Sequence, residues 1–113
     1  MKIYHLKTCD TCRKAIKVLR AASHDPELHD VRADGLDSSV LESLEAALGY
    51  EALVNKQSTT WRGLSDAQKS GLDRDMALTL LGENPTLMKR PVIEHEGKTT
   101  IGWTKSVQAE YGF

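Results

Sequence analysis

The fold is decided by residues 1–31, MKIYHLKTCDTCRKAIKVLRAASHDPELHDV. The first six alternate between polar and apolar residues, which predicts a short strand. From Asp10 to about Ser23 the apolar residues recur at helical spacing, and Pro26 ends the predicted helix because proline disfavours helical geometry in the residue before it. Residues 27–31 alternate again, so the segment predicts a β-α-β unit with parallel strands.

The predicted helix has one apolar face and one basic face. Its inward positions follow the spacing i, i+3, i+4, i+7 and i+10, and are Cys12, Ala15, Ile16, Leu19 and Ala22. Its basic residues point elsewhere and are Arg13, Lys14, Lys17 and Arg20. We expect Thr8 or Asp10 to cap the N-terminus, because both carry a side-chain oxygen that accepts from the first free amides.

The remaining chain predicts a helical middle and a second β segment. The middle begins with a helix that is capped at one of residues 37–39 and stopped by Gly49, followed by a short piece at 50–54 and a polar loop at 55–60. A capping box from Ser65 to Gln68 and a helix at 76–81, ended by Gly82, complete it. The last third predicts a hairpin of strands 91–96 and 99–103 turning at Glu96-Gly97, then a short helix capped by Thr104 that runs to Tyr111.

Length and composition narrow the class of protein. The 113 residues predict a single α/β domain, 1–113, in which a helical insert, 37–84, separates β-α-β from β-β-α. With 40% hydrophobic residues, the chain can build a core without metal or disulfide support. The net charge of -1 argues against nucleic acid or anionic lipid as a general partner. Because no apolar stretch would span a bilayer or form a signal peptide, we expect a cytoplasmic protein. We also expect a monomer.

The two cysteines, Cys9 and Cys12, lie on the predicted turn between the first strand and the helix. A sulfur at a helix N-terminus is favoured as a thiolate by free backbone amides and the helix dipole, so Cys9 is the candidate nucleophile. Cys12 lies on the inward face, as expected of a resolving cysteine that attacks a mixed disulfide formed at Cys9. Alternatively, Cys12 is a small buried apolar residue and Cys9 an incidental surface thiol.

A zinc site is the other chemistry to consider for these cysteines. Together with His24 and His29 they come close to the spacing of a zinc finger. A finger, however, places its histidines on one helix, and Pro26 prevents that here. We therefore predict no metal, with His24 in a loop and His29 exposed on a strand.

A basic turn, Lys89-Arg90-Pro91, precedes the predicted third strand. If the sheet closes in the order of its elements, this turn lies beside Cys9, where Arg90 pairs with the thiolate or holds an anionic substrate. The other interpretation is a solvated basic pair. Lys56, Arg62 and the hydroxyls of residues 59–60 form a second polar group, which is equally consistent with a surface loop.

Taken together these motifs resemble the arsenate reductase (ArsC/Spx) family, most closely its YffB-like branch. The matching segments are the strand at Ile3-Tyr4, Cys9-Asp-Thr-Cys12-Arg-Lys-Ala, Asn55-Lys56 with Thr59-Thr60-Trp61-Arg62, Met88-Lys-Arg-Pro91-Val-Ile and Gly102-Trp103. The resemblance covers essentially the whole chain. It implies a thioredoxin-like fold with a helical insertion between the second and third strands, and a cis Arg90-Pro91 bond near the catalytic thiol.

The resemblance also implies roles for individual residues. The catalytic cysteine of the arsenate reductases falls at Cys9 and one oxyanion-binding arginine at Arg90, whereas two further arginines fall on Asn55 and Gly102, which are not basic. Losing these cations removes charge-assisted hydrogen bonds to arsenate. The YffB-like proteins are thought of as glutathione-dependent thiol reductases, and this resemblance implies that Cys9 with Arg90, Lys56 and Arg62 accommodates the carboxylates of glutathione.

Our leading hypothesis is therefore a glutathione-dependent thiol-disulfide reductase that holds no cofactor and uses glutathione as co-substrate. Its catalytic residues would be Cys9, Cys12 and Arg90, with Lys56, Arg62, Lys89 and Pro91 binding substrate. One alternative is an arsenate reductase coupled to glutathione and glutaredoxin. The other is an Spx-like interaction protein, switched by a disulfide between the two cysteines.

Overall fold

The structure is a computed structural model and describes residues 1–113. Within it the chain forms two compact units, one of residues 1–34 with 90–113 and one of residues 35–89. None of the helices is long and apolar enough to cross a membrane.

The first unit is a four-stranded sheet with helices. Its elements are β1 (Lys2–His5), α1 (Asp10–Ala21), β2 (Glu27–Asp30), the single turn α2 (Val31–Asp34), β3 (Val92–His95), β4 (Lys98–Ile101) and α8 (Lys105–Glu110). The strand order is β2-β1-β3-β4. As predicted, β1 pairs in parallel with β2, and β3 pairs antiparallel with β4. Because β1 also pairs antiparallel with β3, the two halves of the sequence share one sheet.

The core of this unit lies between α1 and the sheet. Ile3, Ile16, Leu19 and Ile93 form one buried cluster, against which Trp103 and Tyr111 pack. The predicted inward face is confirmed for its four residues inside the helix, Cys12, Ala15, Ile16 and Leu19. Ala22 was wrongly placed there. It is exposed because α1 ends at Ala21 and the chain leaves the helix through Ser23, whose φ is 70°.

The predicted hairpin and C-terminal helix are confirmed. Glu96 and Gly97 both have positive φ, 51° and 76°, as a two-residue turn that matches the twist of its strands requires. The Thr104 side chain accepts a hydrogen bond from the Val107 amide and caps α8.

The second unit is helical, and its elements follow between α2 and β3. They are α3 (Ser38–Leu48), α4 (Tyr50–Leu53), α5 (Thr59–Arg62), α6 (Asp66–Ser70), α7 (Arg74–Glu83) and a 3-10 turn (Pro85–Leu87). The predicted cap and stop of α3 are confirmed at Asp37 and Gly49, and the capping box is present between Ser65 and Gln68.

Two predictions in this unit were wrong. Residues 55–60 are not all loop, because Ser58 accepts from the Trp61 amide and so starts α5 at Thr59. The helix predicted at 76–81 is α7, and it does not end at Gly82 but continues to Glu83. Gly82 does not have the positive φ of a helix-ending glycine, so the helix continues past it and ends where the Asn84 amide donates to the Leu80 carbonyl.

Candidate active site

The turn after β1 places Cys9 at the N-terminus of α1. The Cys9 amide donates to the Leu6 carbonyl at 3.0 Å, and the Cys9 backbone is extended, with φ -86° and ψ 113°. The Cys12 amide donates to Cys9 Sγ at 3.4 Å, so Cys9 itself is the N-cap. The prediction that Thr8 or Asp10 caps the helix was wrong. Asp10 lies inside the helix, where its carboxylate pairs with Arg13 at 2.6 Å.

Several groups act on the half-buried Cys9 sulfur. Burial raises its pKa, but the hydrogen bonds from the Cys12 thiol and amide, together with the charge and hydrogen bond of Arg90, outweigh burial. The pKa of Cys9 is therefore lowered from its ordinary value. The nearby charges of Arg13 and Asp10 pair with each other instead of acting on the sulfur singly.

Cys12 has the opposite character. It is fully buried on the inner face of α1. Burial, together with the hydrogen bond that its thiol makes to Cys9, raises the pKa of Cys12 to about 12. Both cysteines are free thiols. The pair is thus chemically unequal, with one sulfur disposed to ionise and the other held protonated.

The turn before β3 brings Arg90 to this sulfur. The Arg90-Pro91 peptide bond is cis, as the family resemblance implied. Pro91 is fully buried, and its carbonyl accepts from the Gly102 amide at 2.8 Å. Antiparallel pairing of β1 with β3 sets the start of β3 beside the end of β1. The sheet therefore brings together three of the predicted residues, Cys9, Cys12 and Arg90, with Pro91 next to them.

A further residue, Asp30, supports this turn and was missed from the sequence. It is 7% exposed at the end of β2, and its carboxylate accepts from the amides of Lys7 at 3.1 Å, Arg32 at 2.9 Å and Ala33 at 3.0 Å. These hydrogen bonds, above all that of Ala33, outweigh burial and lower the pKa of Asp30. The parallel pairing of β1 and β2 was the available signal, because it places the carboxyl ends of both strands at one edge.

The other predicted substrate-binding cations lie in the second unit and make local contacts. Lys56 Nζ is 5.6 Å from the centre of the Trp61 ring, and Arg62 Nη2 donates to the Gln57 carbonyl at 3.2 Å. Lys89 has an exposed side chain, and its amide donates to the Leu53 carbonyl at 2.8 Å. The roles of Lys56, Arg62 and Lys89 in binding substrate stay predictions.

No group of three or more His, Cys, Asp and Glu side chains is arranged to hold a metal ion. The two histidines of the near-finger spacing make ring contacts in different places. His24 meets His95 edge-on, with ring centres 5.5 Å apart, and His29 is half-buried with its ring 5.1 Å from that of Tyr4. The expectation that His29 is exposed was therefore wrong, because Tyr4 on the neighbouring strand covers it.

Comparison with known proteins matches residues 4–110 to the ArsC family. An uncharacterized protein of Haemophilus influenzae is 47% identical over 110 residues, which are 96% of each chain. The solved structure of a protein named YFFB is similar to this one with a TM-score of 0.90 at 35% identity, covering 96% of both chains. An arsenate reductase (ArsC) related protein from Brucella melitensis has a TM-score of 0.78 at 33% identity, covering 99% of this chain and 94% of its own. These matches confirm the expected thioredoxin-like α/β fold.

Proposed function

This chain belongs to the ArsC family of thiol-based reductases, and on that premise we propose that it is a glutathione-dependent thiol-disulfide reductase with Cys9 as its nucleophile. The family match and the similarity to YFFB confirm the resemblance read from the sequence. One observation carries the proposal, namely the Cys9 sulfur at the start of α1 with hydrogen-bond donors from Cys12 and Arg90 around it. A thiolate is the attacking form of a cysteine, and these donors stabilise it.

The first step is attack by the Cys9 thiolate on a mixed disulfide between a substrate thiol and glutathione. A bond forms between Cys9 Sγ and the glutathione sulfur, the substrate–glutathione S–S bond breaks, and the substrate leaves as a thiolate that takes up a proton from water. Arg90 favours this step because its charge and hydrogen bond stabilise the attacking sulfur.

The second step regenerates Cys9. A glutathione thiolate attacks the glutathione sulfur of the adduct, oxidised glutathione leaves, and Cys9 returns as a thiolate. In sum, one mixed disulfide and one glutathione give one free substrate thiol and one oxidised glutathione. We assign this step to glutathione rather than to Cys12, because a buried thiol with a pKa of about 12 is almost wholly protonated near neutral pH.

This chemistry needs a reducing compartment, so we expect the protein to work in the cytoplasm. The test follows NADPH oxidation with glutathione, glutathione reductase and a glutathionylated peptide. We expect Cys9→Ser to lower turnover by at least a hundredfold. The matched control Cys12→Ser should keep turnover within several-fold of the unmodified protein. Unchanged turnover in Cys9→Ser would exclude Cys9 as nucleophile, and a loss in Cys12→Ser as large as in Cys9→Ser would contradict the assignment of the second step to glutathione alone.

Arsenate reduction is the second candidate, favoured by the guanidinium fork of Arg90 at the nucleophile. The positions where the resemblance places two further arginines hold Asn55 and Gly102, so less positive charge is available for an oxyanion. An arginine at Gly102 would also be strained, because φ there is 82°. Arsenate-dependent NADPH oxidation in the presence of glutathione, glutaredoxin and glutathione reductase would establish this activity. We expect it to be weak compared with reduction of the peptide.

A further inference from the structure

The helix that begins at Cys9 has a strongly basic outer face. Its exposed cations are Arg13, Lys14, Lys17 and Arg20. Arg13, Lys17 and Arg20 follow the spacing i, i+4, i+7 and therefore form one stripe, beside the buried face that contains Leu19. At about 1.5 Å per residue, this stripe extends from roughly 6 Å to roughly 16 Å along the helix axis from Cys9.

The basic face places like charges beside one another along the helix. Arg13 with Lys17, Lys14 with Lys17, and Lys17 with Arg20 are like-charge neighbours three or four residues apart, and such pairs destabilise a helix. Of these four cations, one forms an ion pair, namely Arg13 with Asp10. The dipole disfavours the two cations in the first half of the helix and favours Arg20 in the last turn, so it does not account for the basic face as a whole. A run of like charges that starts close to the nucleophile and has one acidic partner is available to bind an acidic ligand.

We propose that the basic face of α1 binds an acidic polypeptide whose glutathionylated cysteine reacts at Cys9. The inference rests on the proposed function and adds its substrate class. An extended chain advances about 3.3 Å per residue, so the far end of the face is about five residues away from the reacting cysteine. The preferred substrates therefore carry Asp or Glu within about five positions of that cysteine.

The net charge of -1 gives the whole molecule no attraction for an acidic partner, so the effect is local. At about 0.1 M salt, charges are screened beyond roughly 10 Å, a distance within which several cations of the face act on the same bound peptide. Charge complementarity of this kind mainly raises the rate of productive encounter. Binding of an acidic peptide to the basic face leaves the two disulfide-exchange steps proposed above, and their electron balance, unchanged.

The experiment uses two glutathionylated peptides that differ only in carrying four Glu or four Gln within five residues of the cysteine. The variant Lys14→Gln/Lys17→Gln removes two charges from the face. Its matched control, Lys2→Gln/Lys98→Gln, removes two charges where β1 and β4 begin, whereas Cys9 follows the other end of β1. We expect the unmodified protein to prefer the Glu peptide in kcat/KM by about tenfold at low salt, as charge complementarity allows.

That preference should fall to about twofold in Lys14→Gln/Lys17→Gln and at about 0.5 M salt, and should persist in the control. Equal kcat/KM for the two peptides in the unmodified protein, or an unchanged preference in Lys14→Gln/Lys17→Gln, would overturn the inference while leaving the proposed function in place. Inactivity of the unmodified protein toward both peptides would reject both. A fluorescent single-stranded oligonucleotide that binds the unmodified protein but not Lys14→Gln/Lys17→Gln, with no preference between the peptides, would reassign the face to nucleic acid.

Discussion

Replacing Asp30 with asparagine is expected to destabilise the turn that precedes Cys9. The carboxylate uses one oxygen for the amides of Arg32 and Ala33, and the other for the amide of Lys7. Asparagine keeps one oxygen. If that oxygen stays with Arg32 and Ala33, the side-chain amide of the asparagine faces the Lys7 amide, donor against donor.

The size of the effect follows from these contacts. Asp30 is buried, and a hydrogen bond to a charged group contributes about 1.5–3 kcal/mol. We therefore expect Asp30→Asn to lower the free energy of unfolding by about 2 kcal/mol at pH 7, which is a shift of about 1 M in the urea midpoint. Asp25→Asn is the control, because it makes the same change in charge at an exposed position.

The effect also has a predicted dependence on pH. Folding lowers the pKa of Asp30 below its ordinary value of 3.8. The stabilisation is therefore fully present above pH 3.8 and is lost as the pH falls through the folded-state pKa. Urea unfolding across this range should show Asp30→Asn and the unmodified protein converging in acid. A difference below about 0.5 kcal/mol at pH 7, or one that does not change with pH, would refute this account of Asp30.

Three further predictions concern the nucleophile and the core. Arg90→Met should raise the pKa of Cys9 and slow its alkylation by iodoacetamide at pH 7 several-fold, with Lys2→Gln as control, and equal rates would contradict the role of Arg90. Cys9→Ala should lose the helix cap and about 1 kcal/mol in urea unfolding, whereas Cys9→Ser should keep most of it; equal losses would argue against capping by the sulfur. Leu19→Ala, at a fully buried position, should cost about 2–5 kcal/mol in the same assay, and a cost near zero would mean that α1 does not pack as described.

The outline of the fold was predictable because its signals are local. Strand and helix have different periods, and Glu96-Gly97 is a recognisable hairpin turn. The single turn α2 was missed because four residues show no periodicity. This turn depends instead on the Asp30 carboxylate, which accepts hydrogen bonds from the α2 amides of Arg32 and Ala33. Gly82 misled the prediction because a glycine ends a helix where its φ is positive, and the sequence does not show that φ at Gly82 is not positive.

The candidate site was predictable to a smaller extent. Cys9 stood out because a thiol pair at a strand-helix turn is unusual, and Arg90 could be placed beside it once closure of the sheet was assumed. We did not predict that Cys9 is the N-cap of α1, because cysteine is not among the residues that favour this position. The support from Asp30 depends on contacts between residues 23 positions apart, and no local pattern reports it.

The capping role of Cys9 links its chemical state to the order of α1. The sulfur that accepts from the Cys12 amide is also the proposed attacking atom, and a sulfur engaged in a disulfide is a weaker acceptor than a thiolate. Each turnover would therefore loosen the first turn of the helix and restore it when the thiolate returns. Hydrogen exchange of the Cys12 amide should therefore follow this cycle. We expect the exchange to accelerate while Cys9 carries glutathione and to slow again on reduction.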